Sequence, residues 1–293
     1  MSTIVVTGRN GFIGNLLTER LKQKHKIVSI VRSRKELFDY NSETIIEKDV
    51  KFISADDICP YSPDIFIHFA AVIYSGNNNQ YIDNVEMAKN VCNICNVLDL
   101  PLVFSSTINV VGLNSKEDQY VNSKLKSEEL VSELCKTYSI VRFPLVIGRD
   151  SPLVKGIENI LIKWRLLLFL GKQKGRIQPV PVEALIKYLG ELIDGTERLR
   201  QDINIVGKYI YSYREIWGNV ATHLGIRCIR IVIPELLLTA VMRVGNLVGI
   251  NTKINIEQIK GLDIDKLIDI EDDDTNVMIV DNKSISLFDY HGR

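Results

Sequence analysis

Short apolar runs rich in β-branched residues alternate with stretches of helical periodicity through the first half of the chain. The runs predict buried strands, and the stretches between them predict amphipathic helices. The predicted strands cover residues 3–7, 27–31, 51–54, 64–69, 101–105 and 139–142, and the predicted helices cover residues 12–24, 80–98 and 120–138. This alternation predicts an α/β fold, a doubly wound parallel sheet with helices on both faces.

The alternation loosens after about residue 148. An apolar helix is predicted over residues 157–170, and a polar stretch follows it. A helix at 182–192 and a strand at 203–206 predict a return to the sheet. We therefore expect a sheet domain over residues 1–148, to which residues 178–207 return, and a smaller C-terminal lobe formed by residues 149–177 and 208–293.

The most membrane-like stretch covers residues 229–250, but charged residues and a proline interrupt it. A spanning helix needs about 20 nearly uncharged residues. We therefore predict no integral membrane segment, and we predict a buried or partner-facing helix in this stretch in preference to a membrane contact.

The charges of the chain balance, because 36 Lys and Arg residues match 36 Asp and Glu residues. Because the chain has no net charge that would attract nucleic acid, we expect a small-molecule ligand and no nucleic-acid partner.

The N-terminus lacks the pattern of a signal peptide, and five cysteines, an odd number, suit a reducing compartment. We expect a cytoplasmic protein. Cys92 and Cys95 have metal-ligand spacing, but no second pair completes a site, so no metal is predicted.

Three glycines lie between the first predicted strand and the first predicted helix. Glycine is needed where the backbone turns tightly and where it approaches a pyrophosphate without a Cβ in the way. The helix N-terminus then offers free N–H groups and a positive dipole to the phosphates. This position favours a Rossmann-type dinucleotide-binding domain over a purely structural turn. The predicted cofactor contacts are Gly8, Asn10, Gly11, Phe12, Ile13 and Gly14.

The end of the second predicted strand bears on the choice of dinucleotide. An acidic side chain about 20 residues beyond the glycine loop would hold the ribose 2′-hydroxyl of NAD, but Arg32 and Arg34 lie there. They suit a 2′-phosphate, which favours NADP(H) over NAD(H), although two solvated arginines at a strand end are common. Asp57 is expected either to accept a hydrogen bond from the adenine amine or to cap the next turn.

Tyr120 and Lys124 lie four residues apart at the start of a predicted helix, so both project from one face. A free tyrosine has a pKa near 10, and a neighbouring cation favours its ionised form. The run Ser105-Ser106-Thr107 ends the fifth predicted strand, and ligands bind at the carboxyl ends of strands in open parallel sheets. We expect Thr107 to bond a substrate oxygen beside Tyr120.

These motifs together resemble the extended short-chain dehydrogenase/reductases, the branch often called NAD-dependent epimerase/dehydratases. The resemblance covers residues 3 to about 210 and also includes Asn84 and the run His68-Phe69-Ala70-Ala71. It implies that Tyr120 is the acid/base, that Lys124 holds the nicotinamide ribose and that Thr107 polarises the substrate. It further implies a homodimer. The cofactor contacts expected in addition are Phe69, Ala70, Ala71, Lys124 and Pro144.

The segment from Arg142 to Gly148 is similar to the arginine-proline segment of nucleotide-sugar 4-ketoreductases and epimerases. Ile108 and Asn109 occupy the positions of the acidic pair that 4,6-dehydratases carry, so elimination of water is not expected. Departures from the family pattern include Val111, where tyrosine is usual. We expect reduction of a 4-keto nucleotide sugar by NADPH. The alternatives are a nucleotide-sugar 4-epimerase with retained NAD and a non-catalytic module that senses the cofactor.

Overall fold

An eight-stranded sheet lies at the centre of the described part of the chain. The computed structural model describes residues 1–35, 40–73, 81–111, 118–170, 174–195, 199, 202–234, 237, 265–268 and 276–282. The strands are β1 (Thr3–Thr7), β2 (Lys26–Val31), β3 (Glu43–Glu47), β4 (Ile65–His68), β5 (Leu102–Thr107), β6 (Tyr138–Phe143), β7 (Val146–Ile147), β8 (Leu166–Leu170), β9 (Arg176–Ile177), β10 (Val180–Pro181), β11 (Ile203–Gly207), β12 (Tyr211–Ser212), β13 (Ile229–Ile233) and β14 (Val277–Val280). The α-helices are α1 (Phe12–Leu21), α2 (Ala55–Ile58), α3 (Ile82–Leu98), α4 (Gln119–Leu134), α5 (Pro152–Trp164), α6 (Val182–Asp194) and α7 (Tyr213–His223).

The central sheet has the strand order β14-β11-β6-β5-β4-β1-β2-β3, and every pair in it is parallel. The six strands from β3 to β6 follow the Rossmann order, so the predicted doubly wound parallel sheet is confirmed. The order reverses between β1 and β4, where β1 continues outward to β2 and β4 to β5. A crevice opens at such a reversal, at the carboxyl ends of the strands.

Both faces of the sheet are covered by apolar cores. Along β1, Ile4 and Val6 face the helices α1 and α6, whereas Val5 faces α3 and α4. This division follows from the two-residue period of a strand. Cys92 and Cys95 are buried in the core beneath α3, where they contribute to packing.

A third apolar cluster lies around α5, α7 and β8, with Leu161, Phe169 and Ile216 among its buried residues. Two short two-stranded sheets, β13 with β8 and β12 with β9, belong to this region. The division into a sheet domain and a lobe remains a prediction, and one boundary in it differs from the structure. Strand β14 lies within residues 208–293 but pairs with β11 of the central sheet.

Two element predictions are wrong at the third strand and at the fifth helix. Residues 51–54 are not a strand: Asp49 caps a 3-10 helix at Val50–Phe52, α2 follows, and the third strand is β3. The helix predicted over residues 157–170 ends at Trp164, because Arg165 adopts a left-handed conformation and β8 begins after it. Apolar runs alone do not distinguish a buried helix from a strand.

The helix prediction for residues 229–250 is also wrong at its start. Residues 229–233 form β13, which pairs with β8. The rest of the predicted helix lies almost wholly outside the described residues. Within the described part of the chain, no helix has both the length and the apolar character needed to cross a bilayer.

Candidate cofactor and catalytic site

The glycine loop connects β1 to α1 at the reversal of strand order. Gly8 has φ +78°, and a Cβ there would lie 2.5 Å from the carbonyl carbon of Phe69. A Cβ on Gly14 would overlap the carbonyl oxygen of Gly8, which accepts a hydrogen bond from Gly11 N at 2.9 Å. The loop is therefore a tight turn that only glycine can form at these positions.

The N-terminus of α1 follows this loop directly, at Phe12 and Ile13. No side chain caps it, and its first turn contains no acidic residue. Its backbone N–H groups are thus oriented toward the crevice without a capping side chain, as a pyrophosphate-binding helix requires. The glycine cradle and this uncapped helix end fit a dinucleotide.

Asn10 joins the glycine loop to the residues that follow β2. Its Nδ2 donates to the carbonyl oxygen of Ser33 at 3.0 Å, and its Oδ1 accepts from the hydroxyl of Tyr40 at 2.8 Å. The same hydroxyl accepts from the backbone N–H of Lys35 at 3.0 Å. Asn10 thereby fixes the loop beside the residues expected to surround the adenosine ribose.

Arg9, in the same loop, is a residue that no motif in the sequence indicates. Its side chain is fully buried and donates to Glu43 three times, at 2.9 to 3.1 Å, and to Glu19 at 2.9 Å. It also donates to Asn15. Ser29 donates to the Glu43 carboxylate at 2.6 Å. Arg9 is therefore engaged with protein carboxylates, and a buried pair of this kind requires every bond to be satisfied.

Arg32 and Arg34 are exposed at the end of β2. Arg34 lies 3.8 Å from the Glu47 carboxylate, a solvated contact of little energy. No ion pair of Arg32 is formed with the residues that the structure describes. Both guanidinium groups can therefore reorient toward a ligand at this strand end, and their phosphate contact stays a prediction.

Asp57 caps α2. One of its oxygens accepts from Ser54 N at 2.8 Å, from Ser54 Oγ at 2.9 Å and from Lys48 Nζ at 2.7 Å. These bonds, that of Lys48 first, hold the pKa of this carboxyl below its usual range. The structure thus shows the capping role that the sequence allowed, and the adenine contact remains a prediction.

The segment after β4 forms the other wall of the crevice. The hydroxyl of Thr7 accepts from Ala70 N at 3.3 Å and lies 2.8 Å from Nδ1 of His68. The Phe69 ring stacks on Phe143 with a centroid separation of 6.4 Å. Pro144 directly follows Phe143 at the end of β6, so the two predicted cofactor contacts Phe69 and Pro144 lie on neighbouring segments. Ala71 continues this wall and is partly buried.

Thr107 and Tyr120 border the same edge of the sheet. Thr107 is the last residue of β5, and its hydroxyl accepts from Asn109 N at 3.3 Å. Tyr120 lies in the first turn of α4, where the Asp118 carboxylate caps the helix by accepting from Tyr120 N at 2.9 Å. The rings of Tyr120 and Tyr81 lie 6.2 Å apart.

Lys124 lies one turn beyond Tyr120 and is only 2% exposed. Its ammonium lies 4.2 Å from the ring centroid of Phe104 on β5, a cation–π distance. Burial lowers the pKa of Lys124 to about 7, and Glu128 opposes this shift. The amine is therefore withdrawn from water at the carboxyl edge of the sheet, close to the strand that ends in Thr107.

Asn84 fixes the start of α4 to the wall of the crevice. Its Nδ2 donates to Val72 O at 3.1 Å and to Ser123 Oγ at 3.0 Å, and its Oδ1 accepts from Val72 N at 2.7 Å. Ser123 in turn donates to Tyr120 O at 2.7 Å. One buried amide thus connects α3, the segment after β4 and the helix that carries Tyr120 and Lys124.

The family model described as "NAD dependent epimerase/dehydratase family" matches residues 4–164, more than half of the 293-residue chain. The chain belongs to this family. The match includes the glycine loop, the end of β5 and both Tyr120 and Lys124. Comparison with curated protein sequences gives no match.

Solved structures with the same fold include enzymes of both predicted activities. The Bordetella bronchiseptica enzyme WbmH, in complex with NAD+, is 19% identical with a TM-score of 0.70, over 80% of this chain and 85% of that one. The dTDP-4-dehydrorhamnose reductase of Bacillus anthracis, in complex with NADP, is 19% identical with a TM-score of 0.64, over 80% and 85%. The UDP-glucuronic acid 4-epimerase of Bacillus cereus, in complex with NAD, is 19% identical with a TM-score of 0.67, over 79% and 86%. At these identities the likeness concerns the fold.

Proposed function

We propose that the protein reduces a 4-keto nucleotide sugar to the corresponding alcohol with NADPH. The observation that carries this proposal is the pair on α4: a buried amine, Lys124, one helical turn from Tyr120, at the carboxyl edge of the parallel sheet. Burying a cation away from water costs free energy unless a counter-charge compensates for it. A buried lysine at this edge of the sheet therefore indicates a functional role. Beside a phenol it favours the ionised form that proton transfer at neutral pH requires.

Each of the three site residues has a defined role in this reduction. Tyr120 donates the proton to the carbonyl oxygen as it becomes a hydroxyl. Thr107 donates a hydrogen bond that orients that oxygen. Lys124 holds the nicotinamide ribose and stabilises the phenolate left on Tyr120. When bound, the dinucleotide supplies the hydride.

The cofactor contacts follow the crevice from the pyrophosphate to the 2′-phosphate. The glycine loop and the start of α1 receive the pyrophosphate, because the helix end offers free N–H groups there. Arg32 and Arg34 bind the 2′-phosphate, and Arg9 does not, because Glu43 and Glu19 occupy its donors. Arginine at this strand end supports NADPH as the preferred dinucleotide.

The substrate class is supported by the family and by the chemistry beside Thr107. Proteins of the same fold include a dTDP-4-dehydrorhamnose reductase and a UDP-glucuronic acid 4-epimerase. Ile108 and Asn109 follow Thr107, and neither can act as the acid or base that elimination of water needs. The region around α5 and α7 is the substrate-binding lobe in this proposal, and the protein is a cytoplasmic homodimer.

The test is NADPH oxidation with a panel of dTDP- and UDP-linked 4-keto-6-deoxy sugars, measured for the wild type and for Tyr120→Phe. We expect Tyr120→Phe to lose at least about 100-fold in kcat, because general acid catalysis contributes about that much or more. Its NADPH affinity should remain within a few-fold of the wild type. The matched control is Tyr81→Phe, which removes a hydroxyl from the adjacent ring and should keep turnover. Wild-type turnover in Tyr120→Phe would overturn the mechanism.

The epimerase alternative uses the same three residues, and solved structures of the same fold include both a reductase and a 4-epimerase. NAD that copurifies with the protein, together with sugar interconversion and no net NADPH consumption, would select the epimerase. Cofactor binding without turnover of any sugar in the panel would select the sensing module.

A further inference from the structure

Glu128 is a buried carboxylate that the mechanism above does not use. It lies on α4 one turn beyond Lys124, on the same face of the helix, and is 5% exposed. The guanidinium of Arg142 on β6 holds it with three hydrogen bonds: Nε donates at 3.1 and 2.9 Å, and a terminal nitrogen at 2.7 Å. The carboxylate is thus fixed in position and kept beside a cation.

Arg142 is shared between two carboxylates. Besides Glu128 it contacts Asp202, at 3.0 Å, just before β11. The guanidinium is therefore held from two sides, by Glu128 and by Asp202. Lys124 is the next charged residue before Glu128 on that face of α4, and Glu128 favours the charged form of its amine.

Among the residues that the structure describes, the other groups that face Lys124 supply no negative charge. His68 on β4 is buried, and burial, with the nearby Lys124, lowers its pKa to about 3, so it is neutral at neutral pH. Phe104 on β5 presents an aromatic ring. On α4 itself, Tyr120 lies one turn before Lys124 and Glu128 one turn after it. Glu128 is the carboxylate whose charge favours the protonated form of Lys124.

We propose that Glu128, held in place by Arg142, is a positioning residue that favours the protonated form of the Lys124 amine. The inference rests on the proposed role of Lys124, which needs a charged amine to bind the nicotinamide ribose and stabilise the Tyr120 phenolate. A buried Glu–Arg pair contributes little net stability compared with apolar residues of similar volume, so attachment of α4 to the sheet is not a sufficient role for it.

The test is a titration of Lys124 by NMR in protein labelled with 13C and 15N at lysine. The Lys124 signal is assigned by its loss in Lys124→Met. In Glu128→Gln, which keeps the shape of the side chain and removes its charge, we expect the Lys124 midpoint to move down by about one pH unit. Glu128→Asp, which keeps the charge, should restore at least half of the shift.

The matched control is Ser127→Ala on the same helix. Ser127 is buried and donates to Ser123 O at 2.7 Å, so Ser127→Ala removes a buried polar contact of α4 without removing a charge. The control should leave the Lys124 midpoint within a few tenths of a unit. If Glu128→Gln does not fold, the pair Glu128→Gln with Arg142→Met removes both charges and should lower the midpoint as well.

An equal Lys124 midpoint in the wild type and in Glu128→Gln would overturn the inference. This result does not depend on any sugar substrate, so it is separate from a failure of the proposed reduction. Once a substrate is found, the alkaline limb of kcat/KM should move to lower pH in Glu128→Gln and stay in place in Ser127→Ala. If kcat falls in Glu128→Gln while the alkaline limb of kcat/KM stays in place, Glu128 has a structural role and the inference is overturned.

Discussion

The hydroxyl of Thr7 lies 2.8 Å from Nδ1 of His68, across the gap between β1 and β4. The same hydroxyl accepts a hydrogen bond from Ala70 N, so its own proton is directed toward Nδ1. This arrangement assigns the ring proton of His68 to Nε2, by the logic of the hydrogen-bond network. The crevice wall therefore depends on a neutral imidazole.

Acidification should destabilise the fold through His68. Burial, with a smaller effect of Lys124, lowers the pKa of His68 from 6.5 to about 3 in the folded protein. Between these values the unfolded chain binds a proton that the folded chain does not, so the free energy of unfolding falls as pH falls from about 6.5. We expect a loss of about 1.4 kcal/mol per pH unit relative to His68→Asn. Urea denaturation of both proteins between neutral and acidic pH measures it. Parallel pH dependences would contradict the assignment.

Gly14 should not tolerate a methyl group. In Gly14→Ala the new Cβ meets the carbonyl oxygen of Gly8, so the loop must shift and we expect NADPH affinity to fall at least about tenfold, with a lower melting temperature. The matched control is Gly156→Ala in α5, where a Cβ meets nothing within 4 Å. Alanine there should stabilise the helix by up to about 1 kcal/mol. Fluorescence titration with NADPH and thermal denaturation distinguish the two positions.

The buried pair of Arg9 and Glu43 should show strong coupling in a double-mutant cycle. Glu43→Gln leaves the Arg9 charge in the core with less compensation, and we expect a loss of about 3 kcal/mol or more in the free energy of unfolding. Replacing both residues by methionine should lower the free energy of unfolding by less than the sum of the losses in the two single methionine variants. Additive effects in the cycle would show that the two side chains do not act as a unit.

The dinucleotide preference should depend on the end of β2. Replacing Arg32 and Arg34 by alanine should weaken NADPH binding by about tenfold or more, since hydrogen bonds between charged groups contribute about 1.5 to 3 kcal/mol. NADH lacks the 2′-phosphate, so its affinity should change by less than about twofold. Isothermal titration with both dinucleotides gives the ratio. An equal loss for NADH would show that the arginines act on the loop and not on the phosphate.

The parallel sheet was predictable because its strands are buried on both faces and read as continuous apolar runs. The glycine loop was predictable for a similar reason, since steric limits at Gly8 and Gly14 act within a few residues. The apolar pattern wrongly predicts a strand at residues 51–54, because the Asp49 and Ser54 caps favour helical turns there. The same pattern extends the predicted helix too far beyond Trp164, because Arg165 adopts a left-handed conformation that ends the helix.

The charged partners of the site were harder to predict. Arg9 and Glu43 are far apart in sequence, and their pairing depends on the register of β3, a strand that the apolar pattern does not predict. Glu128 gave a local signal, a carboxylate four residues after Lys124, but its contact with Arg142 required the position of β6. Periodicity predicts which elements form, whereas burial of a particular charge depends on how those elements assemble.

Strand β14 has a consequence for synthesis of the chain on the ribosome. Its partner β11 emerges earlier, and within the described part of the chain the outer edge of β11 gains its partner only when residues 277–280 have been translated. Exposed strand edges are templates for pairing with other chains. A nascent chain that stalls in the intervening residues would therefore be prone to aggregation, although the glycine loop and the Tyr120–Lys124 helix would already have been made.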